Sequence, residues 1–194
     1  MRYPQVFETL NALSPLPRDE WLHAEGLATE QRFKKKDAFI RPGDKSDRFA
    51  VVLEGLFRAV RFSSGGEESV KAFRAERELI GPYAEQLLGV PSLTLIEALE
   101  PARVLTFKMR DFQSLEPRHA AWVQLARRIA EFHFVLKERR EQQFLDLSAE
   151  ERWEHFWKEH RHLEGRLSQR DVAAYLGVTE VGLSRIVSRR KKRR

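Results

Sequence analysis

The stretch LSQRDVAAYLGVTEVGLSRIVSRR, residues 167–190, constrains the fold more than any other part of this chain. Ser168, with Asp171 three residues on, is an N-cap followed by a capping-box-like partner. Val172 and Leu176, then Leu183, Ile186 and Val187, recur at helical intervals, so two short amphipathic helices flank Gly177, Val178 and Thr179. Gly177 is suited to the left-handed conformation that ends a helix, and Thr179 to capping the next. Ala173 supplies a small side chain where two steeply crossing helices come closest. The spacing thus specifies two helices packed across a tight turn. The plainer alternative is an ordinary helical hairpin with a solvated basic end.

Charge singles out the same segment. Residues 167–194 hold eight Lys/Arg (Arg170, Arg185, Arg189, Arg190, Lys191, Lys192, Arg193, Arg194) against Asp171 and Glu180, a net of +6. The whole chain is also +6, with 35 Lys/Arg and 29 Asp/Glu, so residues 1–166 balance at 27 of each sign. The basicity belongs to one small module, and phosphate is the partner it suits. Cysteine is absent, which excludes disulfides, thiolate metal sites, iron-sulfur clusters and cysteine nucleophiles together. The start lacks an apolar signal core and no stretch approaches a membrane span, so a cytoplasmic protein without a membrane partner is expected.

Three zones follow one another. Residues 1–28 read as helical, with Val6, Phe7, Leu10 and Leu13 on one face, a break at Pro15 and Pro17, then Trp21, Leu22 and Leu27. Between about 29 and 110 come short β-rich runs around Phe33, Phe39, residues 49–53, 56–62, 70–73 and 104–107, separated by turn residues such as Pro42-Gly43-Asp44 and Ser63-Ser64-Gly65-Gly66, the rhythm of a sandwich or barrel. From 118 to 146 there is no Gly or Pro, and Trp122, Leu125, Ile129, Phe132 and Leu136 step by three and four. Such a stripe can pair with its copy in a second subunit, or pack only on its own barrel. Ser148 and Glu151 form a capping box for a further helix, whose Trp153, Phe156 and Trp157 are expected to be buried.

A roll, a long helix and two helices about a tight turn, in that order, resemble the CRP/FNR family of bacterial transcription regulators over nearly the whole chain. FIRPGDKSDRFAVVLEGLFRAVRF looks like the opening strands, LIGPYAEQLLGVPSLTLIEALEPARVLTF falls at the phosphate-binding cassette, and LSQRDVAAYLGVTEVGLSRIV is similar to the DNA-reading helices. The resemblance implies an α+β protein. A jelly-roll β-barrel of the cyclic-nucleotide-binding type occupies residues 1–116, a dimerisation helix 117–147 and a helix-turn-helix domain 148–194. It implies a homodimer through Trp122, Leu125, Ile129, Phe132 and Leu136, bound to a palindromic double-stranded operator. RNA polymerase is a further partner if the protein activates. The DNA contacts implied are Ser168, Gln169, Thr179, Glu180, Val181, Ser184, Arg185, Arg189 and Arg190.

The chain departs from the family pattern in two places. Members that bind cyclic AMP carry Gly-Glu-Leu and then Arg-Ser/Thr-Ala, whereas here Gly81 precedes Pro82 and Tyr83, and Ser92-Leu93-Thr94 falls in the second slot. A phosphate buried without its bidentate guanidinium would be poorly paired, so cyclic nucleotides are not expected in the usual mode. A pocket at Gly81, Tyr83, Ser92 and Thr94 holding an unknown small effector, and a filled-in roll, both remain open; no cofactor is expected. In the recognition helix Glu180 and Val181 replace the family's Arg-Glu, while Arg185 is kept. Arg185 suits guanine, Glu180 cytosine and Val181 a thymine methyl. The basic run 189–194 either stands in for the family's β-wing on the phosphates or is a solvated tail.

A ligand-binding module acting on a protein partner would have no use for the helix-turn-helix. A cupin-like metalloenzyme needs His in the barrel, and residues 24–118 contain none. His23, His119, His133, His155, His160 and His162 read as solvated or packing residues, and no enzyme is expected.

Overall fold

The computed structural model describes residues 1–191, and it divides them into two compact units. The first comprises Met1–Arg61 and Ala72–His133, the second Phe62–Lys71 together with the chain from Phe134 onward.

In the first unit α1 (Pro4–Leu13) and α2 (Arg18–Leu27) precede two four-stranded sheets. The sheets are ordered β1-β8-β3-β6 and β2-β7-β4-β5, from β1 (Thr29–Phe33), β2 (Ala38–Ile40), β3 (Arg48–Glu54), β4 (Phe57–Phe62), β5 (Glu68–Arg74), β6 (Leu79–Ile80), β7 (Thr94–Ala98) and β8 (Ala102–Lys108). Strands β3 and β8 pair antiparallel with Val51 opposite Leu105 and Val52 opposite Val104. Alternation along them divides two cores. Val51, Leu105 and Phe107 pack with Val6, Leu10, Trp21 and Ala24 of the helices. Ala50, Val52 and Val104 turn inward, to Phe39, Ile40, Phe57, Ile80 and Ile96. Burial on both faces explains why residues 49–53 read as a continuous apolar run instead of an alternating one. Leu22 and Leu27 of α2 lie exposed. Strands β6 and β7, and the helices α3 (Tyr83–Leu88) and α4 (Met109–Gln113), were not foreseen from the sequence.

Helix α5 (Ala120–Asp146) runs from the first unit into the second. Its apolar stripe divides. Trp122 and Leu125 are 1% and 0% exposed in their own chain's core, so they have no surface to give a second subunit, which corrects their assignment to a dimer interface. Ile129 packs against the same core. Phe132 is half exposed and Leu136 half-buried. Trp122 is held by its indole N–H, which donates to Glu20 Oε2 at 2.9 Å.

The second unit contains the rest of α5, α6 (Ala149–Glu159), a 3-10 turn at Arg161–Leu163, α7 (Gln169–Leu176) and α8 (Glu180–Lys191). The Ser148–Glu151 capping box forms as foreseen. Of the three aromatics expected to be buried in α6 only Phe156 is fully so; Trp153 and Trp157 are half-buried. No helix among the described residues is long and apolar enough to cross a membrane.

Candidate nucleic-acid interface

Local chemistry fixes α7 and α8. Ser168 Oγ accepts from the Asp171 N–H at 3.1 Å, and the Asp171 carboxylate accepts in return from the Ser168 N–H at 3.3 Å and from its hydroxyl. The helix ends at Gly177, whose φ of +69° is left-handed, and a Cβ there would lie 2.9 Å from the Phe144 ring. Thr179 Oγ1 accepts from Gly182 N–H at 3.1 Å and caps α8. Val172, Ala173, Leu176, Leu183 and Ile186 are all buried. These positions form the packed face anticipated from their spacing.

Two arginines that the sequence pattern did not single out hold the carboxyl end of α7. Arg140 donates to Tyr175 O at 2.7 Å and to Val70 O at 2.9 Å, with its guanidinium 3.8 Å from the Tyr175 ring centroid. Burial pulls the Arg140 guanidinium below its ordinary value, and the contacts with Tyr175 oppose that. Arg152 donates to Leu176 O at 3.2 Å and Leu147 O at 2.6 Å. The Phe144 ring takes both cations, at 4.9 Å and 4.7 Å. Positive charge at the last carbonyls of a helix complements its dipole, so α7 is clamped at one end and capped at the other.

The remaining face of α8 points outward. Val181 is 63% exposed, and Ser184, Arg185, Ser188 and Arg189 line a shallow surface depression. Among the described residues neither Arg185 nor Arg189 has an ion-pair or hydrogen-bond partner. Glu180 stands in the first turn, where a carboxylate is favoured by the helix dipole. Ser168, Gln169 and Thr179 are exposed at the two helix starts. Arg190, expected to face phosphate, instead lies 5.3 Å from the Trp153 ring centroid and pairs with Glu154, because α6 offers both a ring and a carboxylate. Of the expected basic tail, residues 192–194 lie outside the described residues.

The four residues assigned to an effector pocket do not converge. Ser92 is buried, with its hydroxyl bonded to Thr94 O and N at 3.0 and 3.1 Å, and its own N–H and C=O bonded to Asp44 O and Gly43 N, both at 2.8 Å. Thr94 Oγ1 donates to Glu85 Oε1 at 3.3 Å. Tyr83 is 44% exposed, on a helix that also presents Leu87 and Leu88 to solvent. At Gly81 a Cβ would lie 3.0 Å from Phe49 Cβ and 3.3 Å from Phe49 Cα, so the chain passes close to β3 there. Ser92 and Thr94 therefore brace a turn, and the interior is filled by Phe39 and Phe57 with Phe33 between them, at centroid distances of 6.1 and 5.6 Å.

Residues 30–119 match the family of cyclic nucleotide-binding domains. The chain is similar in fold to FixK2 from Bradyrhizobium japonicum, with a TM-score of 0.72 and 23% identity over 86% of this chain and 85% of that one. A CooA mutant from Carboxydothermus hydrogenoformans gives 0.71 and 18% over 88% and 79%. The catabolite activator protein of Thermus thermophilus gives 0.59 and 20% over 95% and 87%. No curated protein matches the chain in sequence. The resemblance to CRP/FNR regulators drawn from the sequence is thereby borne out, and identities of this size carry it as a likeness of fold.

Proposed function

We propose that the chain is a dimeric, sequence-specific DNA-binding transcription regulator of the CRP/FNR type, acting in the cytoplasm and without enzymatic activity. Residues 1–116 form the roll, 117–147 the dimerisation helix and 148–194 the DNA-binding domain, in which α7 and α8 are the helix-turn-helix. The observation that carries this reading is the outward face of α8, where Arg185 and Arg189 have no partner among the described residues, beside exposed Val181 and Ser184, while the opposite face is locked. In the major groove, Arg185 reads a base edge, Glu180 and Val181 contact neighbouring pairs, and Arg189 meets phosphate with Ser168, Gln169 and Thr179. Arg190 has no part in that contact set. The dimer forms through the exposed part of α5 around Phe132, Val135 and Leu136, with Ile129 at its edge. RNA polymerase is a partner if the protein activates.

Selection of bound duplexes from a random DNA pool tests this directly: a palindrome with half-sites about one helical turn apart is expected, and enrichment of no sequence would overturn it. The roll works without cyclic AMP or cyclic GMP, since the Ser92 hydroxyl is committed to the Thr94 backbone, the Thr94 hydroxyl to Glu85, and no arginine occupies the phosphate slot. Calorimetric titration is expected to show no micromolar binding of either nucleotide.

A further inference from the structure

The end of the β4–β5 hairpin, residues 62–71, folds with the C-terminal helices. Its turn is tightly held. Ser63 N donates to Glu67 O and Gly66 N to Ser63 O, both at 3.0 Å, and Ser63 Oγ accepts from Glu67 N at 3.1 Å. Glu68 therefore leaves the turn in a fixed direction. An arginine of α5 and an ion pair tie this hairpin end to α7. Arg140 ties Val70 O of the hairpin to Tyr175 O at the carboxyl end of the helix. At the amino end Glu68 pairs with Arg170 at 3.2 Å. The Glu68 side chain is 22% exposed and that of Arg170 64%, so the carboxylate is enclosed while the guanidinium stays open to solvent.

Arg170 stands beside Ser168 and Gln169, at the end where the first helix of a helix-turn-helix meets the DNA backbone. A carboxylate placed there offers what a phosphate offers, one negative charge and acceptor oxygens in the plane of a guanidinium. We propose that Glu68 is an autoinhibitory phosphate mimic, holding Arg170 away from DNA until the hairpin end is displaced. The inference rests on the reading of α7 and α8 as the DNA-binding element, and assigns that element a regulator built into the roll's own hairpin. Arg140 is the positioning residue, since its two bonds keep β5 alongside α7. A pair with this exposure is worth roughly a two- to fivefold change in affinity per protomer.

The test uses the full chain and a labelled random-sequence duplex of about 30 base pairs, titrated by fluorescence anisotropy over a range of salt. Glu68→Gln, which keeps the shape and removes the charge, should tighten binding roughly two- to fivefold and steepen the salt dependence by roughly one ion, because a cation is returned to the interface. In an Arg170→Gln background the same change should do nothing. An unchanged affinity for Glu68→Gln, or an equal gain without Arg170, would overturn the proposal. If neither the wild type nor Glu68→Gln binds duplex at low salt, the DNA-binding reading falls and takes the proposal with it. If the wild type binds and Glu68→Gln is silent, only the proposal falls.

Discussion

Arginines serve opposite ends in the two units. In the roll they face carboxylates across the strands. Arg58 on β4 meets Glu97 directly opposite on β7, with Nε 2.7 Å from the acceptor, and Arg103 on β8 bridges Glu30 at 3.2 Å and Glu54 at 2.9 Å. Such cross-strand pairs neutralise the surface and align the sheets. On α8, Arg185 and Arg189 have no partner among the described residues, and Arg140 and Arg152 behind them are bonded to backbone carbonyls. The charge left over for a polyanion is thus decided by where carboxylates are missing. Arg190, three-dimensionally close to Glu154, shows that sequence proximity to a basic run does not make a cation available.

If the open arginines read a palindrome two at a time, separating the subunits should do the greatest damage. Phe132→Asp places a charge on an exposed apolar position that the roll's core does not use. It is expected to yield monomers in sedimentation, and to weaken operator binding by about 10²- to 10⁴-fold through loss of bivalency. A wild type that sediments as a monomer at micromolar concentration would contradict the dimer. The next largest effect concerns the arginines that hold α7. Arg140→Met leaves Val70 O and Tyr175 O without their donor, which should cost about 1.5–3 kcal/mol. Hydrogen exchange is expected to show faster opening of α7 and α8 with the roll's strands unchanged, and equal acceleration in both units would show the clamp is not local.

A smaller effect belongs to the roll. Glu20 is held below the usual carboxylate range, chiefly by the Trp122 indole hydrogen bond, with burial opposing and the Arg118 charge assisting. A carboxyl whose folded pKa is depressed contributes stability above its unfolded value, near 4.5, and loses it as pH falls through the folded one. Melting temperature of the roll should therefore fall on acidification below that value, and fall less steeply in Glu20→Gln. Parallel pH profiles for the two proteins would contradict this.

What was legible in the sequence was local. Ser168 with Asp171, Gly177, Thr179 and Ser148 with Glu151 each specify their own backbone partner within a few residues, and each forms as spaced. What was illegible depended on distant chain. Trp122 and Leu125 read as part of one stripe with Phe132, and only the docking of α1, α2 and β8 shows that this chain covers the first two itself. Arg140 and Arg152 carry no periodic signal because their acceptors are carbonyls far along the chain. Strand β6 spans Leu79–Ile80 alone, too short for any alternation to register. The pocket at Gly81, Tyr83, Ser92 and Thr94 was drawn by resemblance, and the side chains that fill the roll come from strands outside that segment.

If α8 reads DNA sequence through Arg185, the ratio of specific to non-specific affinity on the selected operator depends on that side chain. Arg185→Ala should lower that ratio by about 1–3 kcal/mol and relax preference at one base pair of each half-site, while Arg190→Ala, already paired with Glu154, should leave it in place. An unchanged ratio for Arg185→Ala would contradict the assignment, leaving the basic terminus as a generic polyanion-binding tail.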